Sequence, residues 1–230
     1  MKWEEIKGAF SHPEDGVIIW CYALEDYQDD IPEFWGLLTE KECERAHQFI
    51  FPLDQNKYIL TRAFLRLLIA DILKMDPHSV PLRQNDFGKP ILPSNELFFN
   101  LSHVGTTIYI ATTQLCDIGI DVEKIPQNSE NQELLQQLYP TFARNTINPN
   151  EDFARLWTQT EAYLKALGIG FHGDNIPTHI LDPHAPLNTW QKSLYSFQPE
   201  PHIIGSLALV DQLDPNVSFY SYRPQLTTSA

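Results

Sequence analysis

Apolar positions change their spacing several times along the chain, and each change marks an element. "GVIIWCYAL" (16–24) is an unbroken β-branched and aromatic run, which predicts a buried strand. "LTEKECERAHQFI" instead begins with Thr39 and Glu42 three apart, a capping box that opens a helix. Within "DQNKYILTRAFLRLLIADILKM" the residues Ile59, Leu60, Phe64, Leu67, Leu68 and Ile72 recur at helical spacing. They predict a long core helix, with Arg62 and Arg66 four apart on one flank. In "NDFGKPIL" Pro90 keeps Lys89 out of helix, so a turn leads into an extended segment. "ELFFNLSHVG" and "TIYIATTQ" read as two strands about a turn at Gly105.

The second half opens with a strand over 118–123 in which Ile118, Ile120 and Val122 alternate with Gly119, Asp121 and Glu123. A period of two sends these sets to opposite faces, so the apolar set faces a core and the two acids lie together. A helix near 131–138 and the Pro- and Asn-rich break "YPTFARNTINPN" precede a long helix over about 151–167. Its apolar stripe is Phe153, Leu156, Trp157, Leu164 and Leu167, with Thr160 near the middle and Gly168 as the stop. "SLYSFQ", "HIIGSLALV" and "SFYSY" are late strands, and "PQLTTSA" reads as a loose tail. Each half mixes strands with one long helix, which points to an α+β fold of two similar lobes joined near 105–112. No repeat is visible at the residue level.

Charge narrows the partners. Sixteen Lys and Arg against thirty Asp and Glu leave −14, which opposes nucleic acid and anionic membrane as partners. The balance is uneven, however. Residues 41–89 hold Lys41, Arg45, Lys57, Arg62, Arg66, Lys74, Arg83 and Lys89, eight of the sixteen cations, and so offer a docking place for a polyanionic small ligand. No apolar stretch is long enough to span a bilayer, and "MKWEEIKGAF" lacks the core of a signal peptide, so a cytoplasmic protein is expected. Cys21, Cys43 and Cys116 are far apart and odd in number, which argues against a disulfide framework or a zinc site.

Three stretches carry possible chemistry. Asp121 and Glu123 repel each other on one strand face, which suits either a solvated surface or a bound cation. Glu161 and Lys165, four apart, are either an ordinary helix ion pair or part of a site. Ser102 and His103 are adjacent in a strand, point to opposite faces, and therefore cannot form an activated Ser–His nucleophile. Each could donate to a phosphate instead, unless His103 is a satisfied core histidine.

Taken in order, "FGKP", "FNLSHVG", "GIDVE" and "WTQTEAYLK" resemble the motifs of the Sfp-type 4′-phosphopantetheinyl transferases, over about 38–171. The form of "WTQTEAYLKALGIGF" is similar to that of cyanobacterial and other bacterial members. The resemblance implies two pseudo-symmetric α+β lobes, here 1–108 and 109–230, with coenzyme A in the cleft between them. It implies transfer of phosphopantetheine from coenzyme A to a serine of an apo acyl or peptidyl carrier protein, releasing 3′,5′-ADP. Such carriers serve fatty-acid, polyketide or nonribosomal-peptide synthesis. By the match Asp121, Glu123 and Glu161 hold Mg²⁺, with Mn²⁺ as an alternative, and Lys165 lies beside the pyrophosphate. Lys89, Ser102, His103 and Arg45 hold the adenosine 3′-phosphate, with Lys41 and Arg62 as further candidates. A hard cation prefers such oxygen ligands, and it would relieve the repulsion between Asp121 and Glu123. The base that takes the carrier serine's proton is Glu161 or a metal-bound water. A monomer is expected.

Two positions depart from the family pattern. Thr160 stands where relatives usually have lysine, and Ala143 or Arg144 where many carry a glutamate proposed as base. These departures keep open a second reading, a weakened binding module for coenzyme A or carrier protein. A third, a metal-dependent phosphodiesterase on nucleic acid, is disfavoured by the net charge.

Overall fold

In the computed structural model the described residues are 3–7, 10, 12–13, 15–127, 131–144, 146–170, 193–210 and 215–224. The buried run predicted at 16–24 is β2 (Gly16–Ala23), which is covered on both faces. Ile18, Trp20 and Tyr22 face one core, while Val17 and Ile19 face another. That split follows from the two-residue period of a strand, and it makes β2 the divider between two hydrophobic layers.

The first core lies under α3 (Pro52–Leu73), whose Ile59, Leu60, Phe64, Leu67, Leu68 and Ile72 are all buried, as their spacing predicted. Ahead of it come α1 (Ile31–Trp35) and α2 (Glu40–Ala46). The capping box forms: Glu42 N–H donates to Thr39 Oγ1, and Thr39 N–H donates to Glu42 Oε2 at 2.9 Å. The same oxygen takes Arg66, whose Nε donates at 3.0 Å and whose Nη2 lies at 2.9 Å. Arg66 is therefore buried and tied to α2, while Arg62 of the predicted pair borders a cavity beside the strand at 98–104.

The five-stranded sheet runs β1 (Glu4–Lys7), β10 (Asn216–Arg223), β2, β6 (Thr107–Thr113), β5 (Phe98–Val104). β10 pairs in parallel with both β1 and β2, and β6 is antiparallel to β2 and β5. Two short strands, β3 (Arg83–Gln84) and β4 (Pro90–Ile91), flank the turn that contains Gly88. The second sheet has the order β7 (Ile118–Lys124), β9 (Ile203–Leu209), β8 (Leu194–Glu200) and is antiparallel. Its Ile118, Ile120, Val122, Leu207 and Leu209 meet Val17, Ile19 and Ala111 of the first sheet in the second core.

On the other side of β7 and β9 lies α6 (Pro149–Leu167), preceded by α4 (Asn131–Leu138) and α5 (Pro140–Ala143). Ala162, Ala166 and Ala208 let the helix settle closely on the sheet. A Cβ on Gly119 would sit 1.9 Å from the Ala162 carbonyl oxygen, so only glycine permits this approach. The fold is α+β, as expected, in layers of helix, sheet, sheet and helix. The two expected lobes, 1–108 and 109–230, share the larger sheet: a cut after residue 108 severs β6, and β10 lies between β1 and β2. β1, α1 and α5 were not foreseen, and the expected tail beyond Pro224 lies outside the described residues. Among the described residues no helix is long and apolar enough to cross a membrane, and Cys21, Cys43 and Cys116 form no disulfide.

Candidate functional site

The site grows from the place where an edge strand of each sheet meets the other. β5 and β7 are joined there by side chains. Asn100 Oδ1 accepts from Ile120 N–H at 3.0 Å, and Ser102 Oγ accepts from Val122 N–H at 3.3 Å. Ser102 then donates its hydroxyl hydrogen to Asp121 Oδ1 at 3.0 Å. Lys165 Nζ donates to the same oxygen at 2.6 Å and to Ile120 O at 3.3 Å. Asp121 is only 3 % exposed, yet its Oδ2 has no hydrogen-bond partner among the described residues. An unpartnered buried carboxylate oxygen costs about 1–3 kcal/mol or more, so it calls for a donor or a cation.

Glu161 lies one turn before Lys165 on α6, and burial raises its carboxyl pKa above the usual range. Lys165 opposes that rise, while the charges of Asp121 and Glu123 add to it. Glu123, at the open end of β7, is more exposed. Partial burial and the Asp121 charge still raise its pKa, against the pull of Lys165. The three acids thus feel one another. As they stand, no group of three or more His, Cys, Asp or Glu among the described residues forms a ready metal cage. The Lys165 ammonium lies against Asp121 instead. The donor set still fits a hard cation: oxygen ligands only, mutual repulsion, and one buried oxygen without a partner.

Beside these acids is a cavity of about 550 Å³, lined among others by Lys57, Tyr58, Arg62, Phe87, His103 and Lys165. Burial lowers the His103 pKa, and the charges of Lys57 and Lys165 lower it further against the pull of Asp121. These surroundings disfavour the charged imidazole, and an anion beside it would favour it. Burial also lowers the Lys57 pKa, opposed by Asp54. In the sequence Lys57 is one cation of the basic segment and nothing local marks it, because only the packing of α3 brings its charge to His103.

Other expected residues are placed differently. Lys89 contributes to the cavity wall, but its ammonium donates to Asp117 Oδ1 at 3.3 Å, Ile118 O at 3.2 Å and Ala166 O at 3.1 Å. Burial lowers its pKa, with Asp117 opposing. Arg45 lines a neighbouring cavity of about 1000 Å³ with Lys41, Arg62 and Arg83, and its Nη1 donates to Gln48 Oε1 at 2.8 Å. Tyr58 and Arg62 line both cavities. Thr160 is buried; its Oγ1 donates to Leu156 O at 2.8 Å and lies 2.9 Å from the Tyr139 hydroxyl. Ala143 packs against the cluster of Tyr139, Phe153 and Leu156, and Arg144 is exposed.

Two family models match most of the chain. A model described as "4′-phosphopantetheinyl transferase, N-terminal" matches residues 27–115, and one described as "4′-phosphopantetheinyl transferase superfamily" matches residues 117–203. The 4′-phosphopantetheinyl transferase HetI of Nostoc sp. is 30% identical over 166 residues, 68% of this chain and 70% of that protein. A phosphopantetheinyl transferase of Thraustochytrium sp. is 30% identical over 155 residues, 58% of this chain and 53% of that protein. A putative 4′-phosphopantetheinyl transferase of Synechocystis sp. is 28% identical over 152 residues, 62% of each chain. The aligned part thus spans about half of the Thraustochytrium relative, and more of the two cyanobacterial ones.

Proposed function

The chain belongs to the 4′-phosphopantetheinyl transferase superfamily, and from that premise we propose that it transfers the phosphopantetheine arm of coenzyme A to an apo carrier protein. The observation that carries this reading is Asp121, with one oxygen held by Ser102 and Lys165 and the other buried without a hydrogen-bond partner among the described residues, beside a cation-lined cavity. In this reading the cavity takes the nucleotide part of coenzyme A. Lys57, Arg62 and His103 supply its attraction for phosphate, and Arg45, Lys41 and Arg83 extend the same positive field next door.

Asp121, Glu123 and Glu161 would hold Mg²⁺, or Mn²⁺, which when bound neutralises charge at the pyrophosphate. The carrier serine Oγ forms a bond to the phosphorus that bears the pantetheine arm, and the bond from that phosphorus to the bridging oxygen breaks. 3′,5′-ADP leaves with the electron pair. In this reading Glu161 takes the serine proton. Lys165, now paired with Asp121, would offset charge growing on the departing ADP. The carriers belong to fatty-acid, polyketide or nonribosomal-peptide synthesis.

The test is to incubate a panel of apo carrier proteins with coenzyme A, Mg²⁺ and the protein, and to weigh the carriers intact. A carrier that gains one phosphopantetheine, with 3′,5′-ADP released in equal amount, supports the proposal. If coenzyme A binds but no carrier gains mass, the chain is a binding module.

A further inference from the structure

The turn between β3 and β4 is organised by one side chain, Asn85. Its Oδ1 accepts from Phe87 N–H at 3.0 Å and from Lys89 N–H at 2.9 Å. The main chain closes the same turn, with Asn85 N–H donating to Lys89 O and Gly88 N–H donating to Asn85 O, both at 3.0 Å. Two backbone donors on Oδ1 decide which way the amide points. Nδ2 is left to face away from the turn, and it donates to the Gly168 carbonyl at 2.8 Å.

Gly168 is the left-handed residue that ends α6, at φ 69°. The last carbonyls of a helix lack intrahelical partners, and they are the negative end of its dipole. This turn supplies donors to two carbonyls there: Asn85 to Gly168, and the Lys89 ammonium to Ala166. A Cβ at position 168 would lie 2.7 Å from Asn85 Nδ2, so the approach also depends on the absent side chain. Both partners border the cavity. The turn contributes Phe87, Gly88 and Lys89, and the end of α6 contributes Lys165 and Gly168.

We propose that Asn85 is a positioning residue for coenzyme A binding: it acts through the 87–89 turn and the end of α6, and sets how far apart these two cavity walls stand. The inference rests on the reading of that cavity as the coenzyme A site.

Asn85→Asp tests it selectively. A carboxylate keeps an acceptor for Phe87 and Lys89 but sets an oxygen against the Gly168 carbonyl, so the turn survives and the tie to α6 is lost. Coenzyme A affinity is measured by calorimetry without carrier, beside kcat, both KM values and Tm. The expected result is an affinity loss of about tenfold, the scale of one lost hydrogen bond. That loss should be equal for coenzyme A and its 3′-dephospho form, with kcat and the carrier KM unchanged. Gly168→Ala pushes on the same contact from the other side and should weaken coenzyme A in the same sense. A wild-type protein that binds no coenzyme A overturns the reading of the cavity. Undiminished binding by folded variants, or equal losses in kcat and both KM values, overturns the role of Asn85.

Discussion

Ser102→Ala distinguishes a residue that holds the protein together from one that holds a phosphate. In the folded chain the Ser102 hydroxyl accepts from Val122 N–H and donates to Asp121, and both partners are buried. Alanine removes both bonds at once and adds no bulk. A buried N–H left without an acceptor costs about 1–3 kcal/mol, and a hydrogen bond to a charged group contributes about 1.5–3 kcal/mol. Asp121 keeps Lys165, so the second loss is partial, and the sum is on the order of 2–4 kcal/mol. For a chain of this size that corresponds to a fall in Tm of about 4–16 °C. Melting curves of wild type and variant, followed by calorimetric titration with coenzyme A and 3′-dephospho-coenzyme A, decide the matter. The seam between β5 and β7 requires a clear drop in Tm and an unchanged ratio of the two affinities. A variant that melts within a degree of wild type and no longer distinguishes the two ligands would refute the reasoning and return Ser102 to the phosphate.

Thr160→Lys should lower Tm by several degrees in a way that coenzyme A with Mg²⁺ does not recover, because the position is buried beside Tyr139; a ligand-restored melt would place the side chain in the cavity after all. Lys57→Ala should weaken coenzyme A about tenfold or more and erode discrimination against the dephospho form, as calorimetry will show. In the same variant the His103 pKa should move up towards 6.5, followed by NMR titration. A His held below its unfolded value stabilises the fold above pH 6.5, and that contribution is lost as pH falls through the folded value. Lys57→Ala should therefore soften the loss of stability on acidification, and an unchanged acid profile would separate Lys57 from His103. Glu161→Gln should abolish mass transfer to carrier while leaving Tm in metal-free buffer equal or higher, since one of three mutually repelling acids is gone; retained turnover would remove Glu161 from the site.

The elements with strong local periodicity were legible. The alternation at 118–123 put Asp121 and Glu123 on one face, Thr39 and Glu42 formed their box, and Gly168 stopped α6. The place of β10 was not, because a parallel pairing between distant segments leaves no trace in either one. Motif reading found Lys89 but could not see the three oxygens around its ammonium, which come from β7, α6 and the link between the sheets. The stripe of α6 did include Thr160, yet whether that stripe met a cleft or Tyr139 depended on how α4 packs. Lys57 was invisible for the same reason: a lysine on a helix acquires a role only from what the helix faces.

The position of β10 has a consequence for how the molecule is made. During synthesis β2, β5 and β6 can pair as soon as they emerge, but the other edge of β2 stays open until residues 216–223 have been added. Until then an apolar strand with unpaired N–H and C=O groups is available to any other nascent chain. Completion of the sheet is therefore a late, long-range step, of the kind that slows folding and invites chaperones. A chain stopped after residue 215 would lose an interior strand, and should collect in aggregates although every residue of the candidate site is present.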